Sequence, residues 1–192
     1  MTIIKSIDDE EFLRRKVPLT KKEIRILTIS ELGIEENDTV LDIGAGTGGL
    51  TIQASFAAPS GKIYAVEKNP DAVVLIKENL KKFERKNVEI IKGDIKDVLN
   101  DFKIKPNKII IGGSGGNLEK IIDWSKENLA ENGKIVANFI TIENVSECLK
   151  LFKENFDDVN VILASISKSQ FAGNVTLMKA ENPIYILSAK KR

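Results

Sequence analysis

Three acidic residues stand at the ends of successive β-rich runs, where they could recognise a ligand that carries a positive charge and a ribose. Asp42 lies two residues before a glycine-rich loop, Glu67 ends the run "KIYAVE", and Asp94 follows the run "VEIIK". A carboxylate near a helix N-terminus repels a pyrophosphate and attracts an ammonium or a sulfonium. An acid at the end of the second strand can accept the hydroxyls of a ribose. We expect Asp94, or the backbone amide of Ile95, to bond an adenine beside them.

The glycine-rich loop is the stretch "LDIGAGTGGL" at residues 41–50, in which Gly44, Gly46 and Gly49 satisfy the pattern G-x-G-x-x-G. Such a loop lets the backbone approach a nucleotide closely where a strand turns into a helix. The pattern is shared with dinucleotide-binding proteins, and an acceptor such as Glu67 suits NAD as well as S-adenosylmethionine. The charge of Asp42 favours the cationic ligand.

A second glycine-rich turn, "GGSGG", follows the fourth β-rich run and is the candidate substrate side. Gly113, Ser114 and Gly115 remove bulk beside the ligand loop and offer backbone amides and a hydroxyl. A large or acidic substrate could therefore approach closely. No residue of the turn is identified as catalytic from the sequence alone.

Basic residues before the first strand form a candidate lip for an anionic substrate. They lie in the stretch "RRKVPLTKKEIR" and are Arg14, Arg15, Lys16, Lys21, Lys22 and Arg25. Lys168, in the polar stretch "SISKSQ" of the tail, is a further candidate for the substrate side.

Composition limits the classes of function. The formal net charge of +1 provides no overall field for DNA or RNA, so no nucleic-acid partner is expected. The chain has no histidine and one cysteine, Cys148, so neither an internal disulfide nor a metal site is expected. No run reaches the roughly 20 apolar residues that span a bilayer. These features predict a cytoplasmic protein without a membrane partner.

Alternating β-rich and amphipathic stretches predict βαβ units on a parallel sheet. The predicted strands are 39–43, 62–67, 88–92, 107–113 and 133–139. The predicted helices lie near 48–58, 70–84, 95–101, 117–129 and 142–155.

The length of 192 residues fits a single domain with three segments. They are a helical lead-in, a cofactor-binding β/α core and a C-terminal β-hairpin, at residues 1–35, 36–156 and 157–192. In the lead-in, Thr20 and Glu23 have capping-box spacing, which predicts a helix from about Thr20. The tail is predicted to form an antiparallel pair, 159–169 with 183–190, joined by a long functional loop.

The stretches "VLDIGAGTGGLT", "VEKN" and "GD" together resemble the motifs of class I S-adenosylmethionine-dependent methyltransferases, over nearly the whole chain. The resemblance implies a Rossmann-like α/β fold: a seven-stranded, mostly parallel sheet with helices on both faces and a C-terminal antiparallel β-hairpin. It implies S-adenosyl-L-methionine as cofactor, with Glu67 on the ribose and Asp94 and Ile95 beside the adenine. The residues that would cradle the methionine part are Gly44, Ala45, Gly46, Thr47 and Gly48.

"GGSGG", together with "VPLTKKEIR" and "TGGLT", is similar to the family of cobalamin-pathway methyltransferases that act on cobalt-precorrin-6B. That family methylates carbon 15 of the macrocycle and removes carbon dioxide from the ring C acetate, which implies a tetrapyrrole substrate. By matching position, Thr20 would be an additional cofactor contact. The resemblance also implies a homotetramer and a possible separate carbon-5 methyltransferase as partner.

Two other functions stay open. A methyltransferase of tRNA or protein would share the glycine loop, although the fourth strand lacks the Asn-Pro-Pro-aromatic motif of many nucleic-acid amino-methyltransferases. An NAD-binding dehydrogenase or regulatory protein would share the glycine pattern, but Asp42 would repel its pyrophosphate, and the chain has no histidine for hydride chemistry.

Overall fold

Six α-helices pack on a seven-stranded sheet in the structure, a computed structural model that describes residues 4–192. The parallel strands are β1 Thr39–Ile43, β2 Lys62–Glu67, β3 Val88–Lys92, β4 Lys108–Ile111 and β5 Lys134–Phe139. The helices are α1 Lys22–Leu32, α2 Gly49–Ala57, α3 Pro70–Lys82, α4 Ile95–Asp101, α5 Leu118–Asn128 and α6 Ile142–Asn155. The predicted β/α units are confirmed, and β1, β2 and β3 begin and end at the predicted residues.

The strand order creates a crevice at one edge of the sheet. The order is β3-β2-β1-β4-β5, followed by two antiparallel strands of the tail. β1 pairs in parallel with β2 on one side and with β4 on the other, so the connections turn in opposite directions from β1. Open α/β sheets bind ligands at such a switch point, beyond the carboxyl ends of the strands.

Both faces of the sheet are buried, which explains why the central strands are almost entirely apolar. Leu41 and Ile109 pack with α4, α5 and α6 on one face, whereas Val40 and Ile110 pack with α1 and α2 on the other. All four residues of β4 are buried. A fully buried isoleucine contributes about 1.5–3 kcal/mol, so these strands hold the crevice on a rigid base.

The tail forms the expected antiparallel pair, β6 Asp157–Ala164 with β9 Ile184–Lys190. β9 enters between β5 and β6, so the last strand is internal and β6 is the edge. The prediction of a long loop between them is wrong, because β7 Ser167–Ala172 and β8 Val175–Ala180 form a second antiparallel hairpin. Every residue of β8 is exposed. Its sequence therefore has no buried face to mark by the alternation of apolar and polar residues that identifies a strand.

Helix α1 begins at Lys22, two residues later than predicted. Lys21 is its N-cap and has extended backbone angles, and no side chain caps the helix. The predicted capping box of Thr20 and Glu23 is wrong, because Thr20 is not the N-cap and lies one residue before it. The carboxylate of Glu23 forms an ion pair with the tail instead.

Candidate functional site

A cavity of about 830 Å³ opens beyond the carboxyl ends of β1, β4 and β5. The glycine loop 44–47 and the turn 112–116 form one side, and residues 18–21 of the lead-in form another. Thr20, predicted as a cofactor contact, is therefore part of the wall. The cavity is large enough for a drug-sized ligand together with part of a second one.

A smaller cavity of about 210 Å³ lies on the β2 and β3 side of the crevice. It is lined by Glu67, Asp94 and Ile95, the three residues predicted for the ribose and the adenine. Gly44 and residues 113–115 line both cavities. The two compartments thus meet where the strand order reverses.

Gly44 brings the ligand loop and the substrate turn into direct contact. Its backbone is left-handed, with φ of +74°, and a Cβ atom there would lie 2.7 Å from the carbonyl oxygen of Gly113. No other residue fits at that distance, so only glycine allows this approach. The amides of Gly44 and Ala45 donate to the carbonyl of Val66 at 3.0 and 3.1 Å, which fixes the loop to β2.

The other loop residues divide between lining and capping. Ala45, Gly46 and Thr47 line the larger cavity with Gly44. Gly48 is the N-cap of α2, with φ of +80°, and packs against Ile76 rather than lining either cavity. The structure therefore brings four of the five predicted loop residues to the cavity.

Asp42 is a buried carboxylate beneath the loop. Its Oδ2 accepts a hydrogen bond from the Thr51 hydroxyl at 2.5 Å, and its Oδ1 is buried without a hydrogen-bond partner among the described residues. Burial raises the pKa of Asp42 to about 6, the Thr51 hydroxyl opposes this shift, and the charge of Glu67 adds to it. Asp42 lines the larger cavity, so a cationic ligand would find an unpaired acceptor there.

Glu67 connects the end of β2 to the glycine loop. Its Oε2 accepts from the amide of Gly46, and its Oε1 accepts from the amide of Asn69, both at 2.8 Å. A carboxylate oxygen can accept more than one hydrogen bond, so both oxygens can still bind a hydroxyl in the smaller cavity. Glu67 therefore shapes the loop as well as facing the predicted ribose position.

Asp94 caps helix α4 at the far side of the smaller cavity. Its side chain accepts from the amide of Lys96 at 3.2 Å and lies 3.6 Å from Lys68 Nζ. The hydrogen bond from Lys96 lowers the pKa of Asp94, so the carboxylate stays ionised. Ile95 is the first residue of α4, and its N–H cannot reach a carbonyl within the helix, which leaves it able to bind a ligand.

The turn after β4 is open and polar. Ser114 is half-buried and lines both cavities, while Gly113 and Gly115 beside it are exposed. The carbonyl of Ser114 accepts from the amide of Asn117 at 3.1 Å, which closes the turn before α5. The three predicted substrate-side residues of the turn therefore stand between the two compartments.

The predicted basic lip is largely engaged in ion pairs. The prediction that Arg25 is a surface cation is wrong, because its side chain is 0% exposed and lies 2.7 Å from Asp9. The charge can be buried because the guanidinium pairs with Asp9 and donates to backbone carbonyls of the lead-in. Arg15 pairs with Glu78 at 2.8 Å.

The remaining predicted cations lie in three settings. Lys22 pairs with Asp8 at 2.6 Å, whereas Arg14 and Lys16 are exposed. Lys21 alone among the predicted basic residues lines the larger cavity.

Lys168 lies at the start of β7 and pairs with Glu23 at 3.0 Å. The contact with Glu23 raises the pKa of Lys168, so the ammonium is charged. Lys168 does not line either cavity, and it would have to leave Glu23 to meet a substrate.

Several cavity residues carry no recognisable sequence motif. They lie at the end of β5, on α6 and before β9, and the polar ones are Asn138, Asn144, Glu147, Glu181 and Asn182. The one available signal is Asn138, a polar residue in the apolar run "KIVANF". Its Nδ2 donates to the Thr28 hydroxyl at 2.9 Å, and its Oδ1 is buried without a partner among the described residues.

Cys148 and Phe139 belong to the hydrophobic core. Cys148 is fully buried, and burial raises the pKa of its thiol to about 12, which makes it unreactive at neutral pH. Phe139 both packs in the core and lines the larger cavity.

Within residues 4–192, no three potential metal ligands cluster, and none of the helices has the length and apolar character needed to cross a bilayer.

The chain is similar to precorrin methyltransferases over nearly its full length. Residues 11–191 match a family model described as a precorrin methyltransferase domain. A probable cobalt-precorrin-6B C(15)-methyltransferase (decarboxylating) of Sulfolobus acidocaldarius is 36% identical over 191 residues, covering 98% of this chain and 99% of the relative. A relative of the same name from Methanocaldococcus jannaschii is 41% identical over 187 residues, covering 95% and 97%. The crystal structure of precorrin-6y C5,15-methyltransferase from Geobacter metallireducens superposes with a TM-score of 0.92 at 34% identity, covering 98% of this chain and all of that chain.

Proposed function

This chain belongs to the precorrin methyltransferase family, and we propose that it methylates carbon 15 of cobalt-precorrin-6B with S-adenosylmethionine and removes carbon dioxide from the ring C acetate. The observation that carries the proposal is the buried Asp42 oxygen beneath the glycine loop, which has no hydrogen-bond partner within residues 4–192. It lies in a crevice whose smaller compartment holds Glu67 and Asp94. The names of the relatives supply the substrate.

The residues of the crevice fit S-adenosylmethionine. The Asp42 oxygen that has no partner among residues 4–192 would accept from a cationic group of the cofactor, and the loop at 44–47 would surround its methionine part, with Thr20 in the same cavity wall. Glu67 takes the ribose hydroxyls, and Asp94 with the amide of Ile95 holds the adenine in the smaller cavity. When bound, the cofactor supplies an electrophilic methyl group on a positively charged sulfur.

The same charge argues against NAD. Asp42 is buried beside the loop, and a pyrophosphate on the N-terminus of α2 would lie close to this carboxylate in a poorly solvated place. The crevice therefore favours a ligand with positive charge over one with two phosphates.

The larger cavity suits a broad, partly apolar macrocycle. Phe139, Ile140, Ile24 and Ile184 provide apolar surface, and the glycine turn at 112–116 leaves space next to the cofactor. Asparagine side chains can donate to carboxylates without adding charge. The substrate would thus lie over β4 and β5, against the compartment that holds the methyl donor.

Catalysis in this site rests on alignment. Methyl transfer to an electron-rich ring carbon needs the two reacting atoms held in line more than it needs a strong base, and the chain has no histidine. The conjugated macrocycle can accept the electrons released when carbon dioxide leaves, while the apolar walls exclude water. Ser114 and the amides of Gly113 and Gly115 would orient the substrate, and Lys168 would be a second contact after leaving Glu23.

The exposed hairpin of β7 and β8 supports an oligomer, in line with the expected homotetramer. Phe171, Val175, Leu177 and Met178 are all exposed, and a two-stranded hairpin is marginally stable alone in water. We infer that the hairpin packs against other copies of the chain.

The cysteine content and the relatives' names bear on where the protein acts and with which partner. A single unpaired cysteine fits a reducing compartment, so we expect the protein to act in the cytoplasm. The relatives' names give carbon 15 alone, whereas the Geobacter protein's name gives carbons 5 and 15. We therefore expect a separate carbon-5 methyltransferase as a partner in the same sequence of reactions.

Calorimetric titration tests the cofactor and substrate classes. We expect S-adenosylhomocysteine, the demethylated cofactor, to bind where NAD does not, and cobalt-precorrin-6B to bind the resulting complex. Binding of NAD alone would contradict the proposal. Binding of bulk tRNA with a steep salt dependence would favour a nucleic-acid methyltransferase instead.

A further inference from the structure

The lead-in residues 7–21, called here the N-terminal segment, lie against the glycine loop. The carbonyl oxygen of Pro18 is 3.7 Å from the position that a Cβ of Gly46 would occupy. The side chain of Leu19 is 2.8 Å from the corresponding position at Gly49. Because residues 18–21 also line the larger cavity, any shift of this segment changes the shape of the part of that cavity proposed to hold the methionine part of the cofactor.

Arg25 holds the segment from the side of α1. Its guanidinium is fully buried and donates to Asp9 at 2.7 Å and to the carbonyls of Thr20 and Ile7, each at 2.5 Å. It also stacks on Phe12, with 4.6 Å between Cζ and the ring centroid. One planar side chain thus contacts four residues of the segment.

Asn79 holds the same segment from the side of α3. Its Oδ1 accepts from the amide of Leu13 at 2.8 Å, and its Nδ2 donates to the carbonyl of Leu13 at 2.9 Å. The same Nδ2 donates to the carbonyl of Thr47 in the glycine loop at 3.0 Å. Asn79 is fully buried, so a loss of these bonds would leave polar backbone groups without partners.

We propose that Arg25 and Asn79 are positioning residues that hold the N-terminal segment on the glycine loop as a fixed wall of the S-adenosylmethionine site. Neither side chain lines either cavity. Thr20 and Thr47 both line the larger cavity, and Arg25 acts through Thr20 whereas Asn79 acts through Thr47. A wall that is already ordered lowers the entropy cost of cofactor binding. This inference rests on the proposed function.

The test compares cofactor affinity with stability. Calorimetric titration of S-adenosylhomocysteine is made on Asn79→Ala and Arg25→Lys, at a temperature where thermal denaturation shows each to be folded. Phe156→Leu is the control, because Phe156 is a core residue that lines neither cavity. We expect Kd to rise at least tenfold in the two positioning variants and to stay within twofold in the control.

Hydrogen–deuterium exchange provides a readout that a purely structural role would not change. In the wild type, amides of residues 13–20 should become protected when S-adenosylhomocysteine binds. In Asn79→Ala, residues 13–20 and 44–48 should exchange faster than in the wild type, whereas β4 should not change.

Three results would overturn the inference alone: the positioning variants bind within twofold of the wild type, the control loses as much affinity at an equal loss of Tm, or the wild-type segment gains no protection from the ligand. The last result applies even if neither positioning variant folds. A wild type that fails to bind S-adenosylhomocysteine would overturn the proposed function, and this inference with it.

Discussion

At the scale of single residues, Asp42 shows how a binding site can weaken the protein that carries it. Burial disfavours the ionised carboxylate and raises the pKa of Asp42 to about 6. Its stabilising contribution is therefore present below the ordinary pKa of 3.8 and lost as the pH rises through about 6. A bound cation would favour the ionised form, so ligand binding should reverse this trend.

Cofactor affinity should depend on pH through Asp42. The Kd of S-adenosylhomocysteine is expected to fall as the pH rises through about 6 and to level off near neutral pH, because the ionised carboxylate is the form that binds a cation. Calorimetric titrations over this range check the expectation. In Asp42→Asn the dependence should be absent, and a variant with the wild-type pH profile would exclude Asp42 as its cause.

Replacement of Glu67 should weaken cofactor binding. Glu67→Ala removes a charged acceptor for the ribose and frees the amides of Gly46 and Asn69, so we expect a loss of about 1–3 kcal/mol in binding free energy. Glu89→Ala is the matched control, since Glu89 is an exposed acidic residue on β3 and lines neither cavity. Equal affinities in the two variants, measured by calorimetry, would contradict the role of Glu67.

The sequence allowed the three acids to be placed but not Arg25 or Asn79. Asp42, Glu67 and Asp94 lie at or just beyond the carboxyl ends of β1, β2 and β3, and the geometry of parallel sheets brings these ends to one edge. Arg25 lies in a basic run that suggests a solvated face, and its partners include backbone carbonyls, which a sequence does not distinguish. Asn79 looks like one more polar residue of a helix until its contacts are seen.

At the scale of elements, the site depends on how closely two turns approach. The glycine loop after β1 and the turn after β4 touch at Gly44 and Gly113, where the larger and the smaller cavity meet. Buried strands on either side keep the two turns in register, because β1 and β4 pair directly. Helices α1 and α3 add the wall formed by the N-terminal segment.

A methyl group at Gly44 should separate these turns. Gly44→Ala meets the Gly113 carbonyl at 2.7 Å and adopts a left-handed backbone, so both stability and cofactor affinity should fall. Gly173→Ala is the control, since φ is +60° there but no atom lies within 4 Å. We expect the control to lose about 1 kcal/mol of stability from backbone strain and to keep its affinity.

The two variants are compared by thermal denaturation and by titration with S-adenosylhomocysteine. Equal losses of stability in both variants, with affinity retained in Gly44→Ala, would show that the close approach has no role in binding.

The elements of the core could be predicted, whereas those of the tail could only be predicted in part. The central strands combine apolar runs with flanking turns, and β1, β2 and β3 were bounded correctly. Nothing in the sequence indicates that β9 inserts between β5 and β6, because strand order depends on long-range pairing. The sequence predicts a loop where β7 and β8 form a hairpin, because the residues of this hairpin are mostly exposed and show no buried face.

At the scale of the whole molecule, the expected class I methyltransferase fold is confirmed by the strand order and by the likeness to the Geobacter structure. In the proposed function, the cofactor lies over β1 and β2, and the space over β4 and β5 is left for the substrate. The exposed β7 and β8 hairpin is the one large feature that this arrangement does not use, which is why we assign it to assembly.

Charge on the hairpin should break the proposed oligomer. Phe171→Asp and Met178→Asp place carboxylates on residues that are 79% and 67% exposed in the single chain, so we expect a smaller species by size-exclusion chromatography with light scattering. Val74→Asp is the control, because Val74 is an exposed apolar residue on α3, away from the hairpin. A wild-type protein that runs as a monomer would contradict the proposal.

The central claim is tested most directly by turnover. The purified protein is incubated with cobalt-precorrin-6B and S-adenosylmethionine labelled in its methyl group, and the product is analysed by mass spectrometry and carbon NMR. We predict a product that has gained one labelled methyl at carbon 15 and lost the ring C carboxyl group as carbon dioxide. A tetrapyrrole recovered unchanged, in the presence of protein that binds S-adenosylhomocysteine, would contradict the account and leave a methyltransferase of another substrate.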